Sequence, residues 1–231
     1  MRVGLVFPPS LCLPNQLYHA LPVLAGALRA VGHEPQITDL HLAAELCLDR
    51  ERAESLLRRG RERSRHLESE GDIRAGEVLA RMLSVVEPRT LAGEKYKDTL
   101  RDHEGFLDQK RFKEAFWSVV DVLGTAYQLD PLISPHRETF AEEIIANQRE
   151  EPWTIHQELY DAGLIEAVIG REPEMIGVCV AFPEQAVESV RFARRIREVA
   201  PQVPICFGGP LITQFADKWL ENGWIFDYVD Y

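Results

Sequence analysis

Residues 175–210 read MIGVCVAFPEQAVESVRFARRIREVAPQVPICFGGP. An apolar run from Met175 to Phe182 is closed by Pro183, and a second, from Val203 to Phe207, is closed by Gly208-Gly209-Pro210. Short uncharged runs bounded by turn residues read as strands buried in a parallel sheet. Between them, Ala186, Val187, Val190, Ala193, Ile196 and Val199 recur at helical spacing, which makes an apolar stripe on a helix. Strand, helix and strand in this order imply a parallel pair joined by a right-handed crossover.

The same grammar extends to both ends. Arg2 to Phe7 is a β-branched and apolar run stopped by Pro8-Pro9-Ser10. Pro22 suits the first turn of a helix, with Leu24, Ala27, Leu28 and Val31 on one face and Gly32 at the C′ position. Glu34 to Leu40 reads as a second strand, Leu211 to Asn222 as a helix stopped by Gly223, and Trp224 to Tyr231 as the opening of a fifth strand. The expectation is an α/β fold, Rossmann-like (flavodoxin-like), with a five-stranded parallel sheet in the order 2-1-3-4-5.

Residues 43–170 carry no clear strand signal. Residues 43–68 and 72–86 are rich in Ala, Leu, Glu and Arg, which are good helix formers. Phe112, Phe116, Val119, Val120, Leu123 and Tyr127 form an apolar helical face, Ser134-Pro135 starts a helix, and Thr154 with Gln157 has capping-box spacing. The expected organisation is a discontinuous sheet domain, residues 1–42 and 171–231, with a large helical insertion, residues 43–170, after the second strand.

Charge and cysteine usage narrow the partners. The net charge is −11, and residues 111–170 alone carry four basic and eleven acidic residues. An acidic surface argues against nucleic acid and anionic membranes as partners. No apolar run approaches the roughly 20 residues of a membrane span, and Met1 to Phe7 lacks the pattern of a signal peptide. Cys12, Cys47, Cys179 and Cys206 show no C-x-x-C spacing, so neither a zinc knuckle nor a local iron–sulfur motif is present, and Cys179 and Cys206, in apolar runs, read as buried thiols of a reducing cytoplasm.

Ligands of open parallel sheets bind outside the carboxyl ends of the strands. Three loops qualify: Pro8 to Asn15, containing Ser10 and Leu11; Ala181-Phe182-Pro183-Glu184-Gln185; and Gly208-Gly209-Pro210-Leu211-Ile212-Thr213. Two glycines just past a strand let backbone approach a bulky ligand closely, and they equally suit a tight turn with no ligand. Neither G-x-G-x-x-G after the first strand nor G-x-x-x-x-G-K-S/T occurs, which removes the main support for dinucleotide and P-loop readings. The histidines show no paired metal-ligand spacing. His33, His41, His66, His103, His136 and His156 read as cap, surface or helix residues, and His19, in the loop before Pro22, is the one that could approach a ligand.

The ordered set of Pro8-Pro9, Leu21 to Leu28, Gly32-His33, Asp39-Leu40, Pro173 to Val180, Gly208-Gly209-Pro210 and Phe226 to Val229 resembles the N-terminal cobalamin-binding region of B12-dependent radical SAM enzymes. The resemblance covers both ends of the chain. The helical middle is similar, more loosely, to members that act on peptides or small natural products. It implies a cobalamin held by Pro8, Pro9, Ser10, Leu11, Cys179, Ala181, Phe182, Pro183, Glu184, Gln185, Gly208, Gly209 and Pro210, with the nucleotide tail beside the glycine pair. Filling Gly209 is then expected to block the tail and leave the fold intact.

Two departures shape what the resemblance implies. The loop after the first strand has no histidine, so no protein imidazole ligates cobalt from D-x-H-x-x-G, as in many radical SAM members. The chain also lacks the C-x-x-x-C-x-x-C that holds a [4Fe–4S] cluster and serves S-adenosylmethionine cleavage. The implied role is a non-catalytic cobalamin module of a methyltransferase, partnered by a radical SAM domain in cis or in trans, or a stand-alone relic. A two-domain sugar-nucleotide glycosyltransferase opens similarly, with a strand, a turn, a helix ending in Gly-His and a second strand. The late Gly208-Gly209-Pro210 and the long insertion favour the cobalamin reading over it; a third reading is an interaction domain that has lost its ligand.

Overall fold

Alternation of period two along each strand sorts the sheet into two faces, and a different helix claims each one. The computed structural model describes residues 1–9, 18–41, 49–128, 155–221 and 223–231. Among these, residues 1–9, 18–41, 156–221 and 223–231 belong to an α/β unit, and residues 49–128 and 155 to a helical unit.

In the α/β unit, Arg2–Phe7 (β1), Glu34–Asp39 (β2), Met175–Cys179 (β3) and Ile205–Gly208 (β4) make a four-stranded sheet in the order β2-β1-β3-β4. All three pairings are parallel, with Leu5 opposite Ile37 and Gly177, and Gly177 opposite Cys206. Ala20–Ala30 (α1) lies on the face of Val3, Leu5 and Phe7, contributing buried Leu21 and Ala25. Pro183–Val199 lies on the other face, where Ala186, Val187, Val190, Phe192, Ala193 and Ile196 pack with Val6, Ile176, Val178, Ile205 and Phe207. Right-handed crossovers running in opposite directions from the sheet centre place the two helices on opposite faces. Each fully buried Val, Leu, Ile or Phe contributes about 1.5–3 kcal/mol of burial.

The α1 face is rotated from the one that the apolar spacing suggests. Leu21, Ala25 and the half-buried Leu28 point inward, whereas Leu24 is 47% and Val31 70% exposed. Small Ala25 faces the strands, and a close helix-to-sheet approach decides the face over the count of large side chains. Gly32 takes φ +83 just past the helix, as a C′ glycine should.

The expected fifth strand is not formed. Gly223–Asp227 is a 3-10 turn, and Ile225 and Val229 are buried in the core cluster on the Pro183–Val199 side. Even so, Tyr231 donates its N–H to the Ile205 carbonyl at 3.2 Å and accepts from Phe207 N–H at 2.7 Å. That pattern is a single parallel step on the outer edge of β4. The helix expected from Leu211 to Asn222 is two short pieces, Pro210–Gln214 and Ala216–Glu221.

The helical unit contains Arg50–Ser69 (α2), Ile73–Leu91 (α3), Gly93–Arg101 (α4), His103–Leu107 (α5) and Gln109–Gln128 (α6). Asp49 caps α2 by accepting from the N–H groups of Glu51 and Arg52, and Asp72 caps α3 through Ala75 N–H. The α2–α3 contact is close. A β-carbon on Gly76 would stand 2.8 Å from the Ser64 carbonyl, and Ser64 Oγ donates to the Gly76 carbonyl at 2.9 Å.

Along α6 the inward residues are Ala115, Ser118 and Val122, while Phe112, Phe116, Val119 and Val120 are half-buried. The helix start at Ser134-Pro135 and the Thr154 cap lie outside the described residues. Ile155–Leu159 (α7), a widened turn over Tyr160–Leu164 and Ile165–Ile169 (α8) precede β3. Leu159, Tyr160, Ile165 and Val168 are buried, and the last three join the core cluster of Pro183–Val199 (α9). The α/β unit thus takes in residues 156–170 as well, which the sequence assigns to the insertion. No helix among the described residues is long and apolar enough to cross a membrane.

Candidate functional site

The carboxyl ends of β1, β3 and β4 lie side by side, and a web of hydrogen bonds joins the loops that leave them. Pro8 and Pro9 follow β1 and are both buried. Ser10 and Leu11 lie outside the described residues. The β3 loop is held to β4 by Val180, whose N–H donates to the Gly208 carbonyl at 2.7 Å and whose carbonyl accepts from Leu211 N–H at 3.2 Å. Pro183 and Pro210 each open a helix in its first turn, where a missing N–H costs little. The Pro183 and Glu184 side chains lie outside the described residues.

The two glycines do different work. Gly209 has φ +107, and a β-carbon there would stand 2.6 Å from the Val180 carbonyl oxygen and 3.0 Å from its nitrogen. Its bareness serves the turn and the backbone of β3. At Gly208 a β-carbon would meet nothing within 4 Å. The room expected at the pair therefore lies at Gly208 alone, and a bulky residue at Gly209 would disturb the fold rather than leave it intact.

Gly208 belongs to a larger open strip. On the α1 side of the sheet, Met175, Gly177 and Cys179 of β3 and Cys206 and Gly208 of β4 are all half-exposed, while the alternating residues Ile176, Val178, Ile205 and Phe207 are buried on the α9 side. α1 packs over β1 and β2. The strip beyond it is paved with small side chains and ends at the loops of Ala181-Phe182 and Gly208-Gly209. Cys179 and Cys206, read from the sequence as buried thiols, are half-exposed because no helix among the described residues covers this side of β3 and β4. Gly177 and Cys206 are not selected as site residues from the sequence, although the period of two from Gly177 to Cys179 and from Cys206 to Gly208 places them on one face.

Aromatic rings flank the strip at the β1 side. Tyr18 stacks on Phe7, with ring centroids 4.8 Å apart and planes at 15°, and meets Phe182 edge-on at 6.3 Å. His41, just past β2, is buried and stands edge-on to Phe7 at 6.3 Å. Tyr18 and His41 are residues that sequence reading did not select. Burial, with the Cys179 thiol beside it, pushes the Tyr18 phenol up, so it stays a neutral donor at neutral pH. Burial likewise pushes the Cys179 and Cys206 thiols up. Phe182 is 36% exposed at the mouth, and His19 is exposed at the start of α1.

Gln185, expected as a ligand contact, is fully buried instead. Its Oε1 accepts from Ala181 N–H at 2.9 Å and Phe182 N–H at 3.1 Å, and its Nε2 donates to the Pro8 carbonyl at 2.8 Å. Both polar ends are committed to backbone, so it builds the loops and does not face a ligand.

A second polar cluster sits inside the α/β unit. Glu188 of α9, 1% exposed, is met by Arg191 on one oxygen, by His156 Nδ1 at 3.4 Å on the same oxygen and by the Tyr160 hydroxyl at 3.3 Å on the other. Burial would raise its pKa, but the Arg191 and His156 charges and hydrogen bonds override this and hold it at about 2. The cluster pins the start of the 156–169 segment to α9.

No family model, curated protein or solved structure matches the chain.

Proposed function

We propose that this chain is a cobalamin-binding module, the N-terminal part of a B12-dependent radical SAM methyltransferase that acts on a peptide or small natural product. The observation that carries the reading is the half-exposed strip of Gly177, Cys179, Cys206 and Gly208 on one face of β3 and β4. It leads to the carboxyl-edge loops, where Gly208 has open space in the direction a side chain would take. A flat nucleotide base needs such a surface, wide, apolar and free of protruding side chains.

The residues fit the group in character. Cys179, Cys206 and Gly208 would underlie the nucleotide tail, with Gly177 beside Leu5 at its edge, and Ala181, Phe182 and Pro210 would border the corrin ring, backed by the buried Pro8 and Pro9. Cobalamin supplies methyl transfer at cobalt when bound. The protein's part is to orient it and to exclude water. Buried prolines hold their loops with little conformational entropy left to lose on binding. In this reading no protein imidazole ligates cobalt from the loop after β1. The sheet gains a fifth strand along the β4 edge that Tyr231 already occupies, completing a Rossmann-like order. The radical SAM domain, with its cluster and S-adenosylmethionine, is a partner in cis or in trans, in the cytoplasm.

Titration with hydroxocobalamin, followed in visible light, tests the proposal. A saturable spectral change that is abolished in Gly208→Trp supports it. Saturable binding unaffected by Gly208→Trp, or no binding with a radical SAM partner domain present, rejects it.

A further inference from the structure

Gln185 is the third helical residue of α9, with Phe182 as N-cap, and its Oε1 takes the Phe182 N–H as a capping-box side chain does. Glutamate performs that task equally well, and the positive end of the helix dipole favours it. What glutamate cannot do when ionised is donate. The Gln185 amide donates from Nε2 to the Pro8 carbonyl, 177 residues away in sequence and in the loop of another strand. Ser189 Oγ, one turn on, donates to the Gln185 carbonyl and adds a further bond at this turn of α9.

From this we infer that Gln185 is a latch, a positioning residue that joins the β1 and β3 loops into one rigid edge, so that the ligand site presents Pro8-Pro9 and Ala181-Phe182 in fixed relation. The inference rests on the carboxyl edge being the ligand site. It goes further in assigning the fixed spacing of the two loops to one donor, Nε2.

The test is Gln185→Glu, with Gln185→Met as its companion. The glutamate variant keeps the acceptor for Ala181 and Phe182. Those two N–H groups and the helix dipole favour its ionised form, which has no hydrogen for the Pro8 carbonyl. Gln185→Glu therefore keeps the cap and loses the latch, whereas Gln185→Met loses both. In urea unfolding at about pH 8 both variants should be less stable than wild type.

At the same pH the dissociation constant of hydroxocobalamin should be weakened about tenfold in both variants. Wild-type stability in Gln185→Glu overturns the latch, because the cap alone then accounts for the residue. A stability deficit in Gln185→Glu with an unchanged dissociation constant overturns the positioning role. No cobalamin binding by wild type rejects the proposed ligand, and the unfolding measurement then decides the latch by itself.

Discussion

The missing side chain of Gly209 is matched to the backbone of Val180: a β-carbon on the glycine would stand 2.6 Å from the Val180 carbonyl oxygen. That oxygen is already held by Leu211 N–H, and Val180 N–H by the Gly208 carbonyl. The strand and the turn cannot part without losing both bonds. Adjacent glycines thus have separate reasons to be glycine, and they can be separated by experiment.

Gly209→Ala should destabilise the protein by about 2–4 kcal/mol, from the left-handed backbone and the contact with Val180 together. Gly208→Val should change stability by less than about 1 kcal/mol, because its β-carbon enters open space, yet weaken hydroxocobalamin binding at least tenfold. Urea unfolding and ligand titration on the two variants check this. Equal destabilisation of both would contradict the division of roles.

Alkylation of Cys179 and Cys206 reports directly on the open strip. Both thiols are half-exposed and both are raised by burial. Iodoacetamide should modify them slowly at neutral pH and faster as pH rises toward and above the ordinary thiol range. Saturating hydroxocobalamin should slow both sites together. Mass spectrometry that finds neither site protected by a ligand that does bind would place that ligand elsewhere.

The buried Glu188 makes the α/β unit sensitive to acid. Its folded pKa, about 2, lies below the unfolded carboxylate value. It therefore contributes stability that is fully present above the unfolded pKa and is lost as pH falls from there toward about 2. Glu188→Gln removes the carboxylate that pairs with Arg191 and should cost on the order of 3 kcal/mol at neutral pH. That deficit should shrink between about pH 5 and pH 3. A deficit constant over this range, measured by urea unfolding, would show that the carboxylate charge is not what the site uses.

Arg197 and Asp230 fasten the last residues of the chain to β4. Arg197 Nε donates to the Tyr228 carbonyl at 2.9 Å and Nη1 to Pro201 and Val203, while Nη2 pairs with Asp230. Asp230 Oδ2 also accepts from Ile205 N–H at 2.7 Å. Burial acts to raise the Asp230 pKa, but the Ile205 N–H and Arg197 outweigh it and keep it low. Asp230→Ala should cost about 1 kcal/mol, the pair being part-exposed. It should also speed amide exchange at Phe207, whose N–H donates to the Tyr231 carbonyl, and at Tyr231, whose N–H donates to the Ile205 carbonyl. Unchanged exchange at Phe207 would show that the edge is held by other means.

The α/β alternation, the four strands to within a few residues and the α9 stripe were legible in the sequence, because a sheet strand writes a short apolar run bounded by turn residues and a helix writes a period near four. The convergence of the β1, β3 and β4 loops follows from parallel topology alone. Which face of α1 turns inward, why Gly208 and not Gly209 leaves room, and that Gln185 is spent on the Pro8 carbonyl were decided only by tertiary structure. Each depends on the distance between groups remote in sequence: Leu21 and Ala25 over β1, Gly209 against Val180, Gln185 across 177 residues to Pro8. The fifth strand failed to form for a related reason. Residues 224–231 carry strand-like composition, but Ile225 and Val229 are drawn into the core from a 3-10 turn, and only Tyr231 reaches the β4 edge. Local pattern states which residues seek burial, and the packed chain settles what they are buried against.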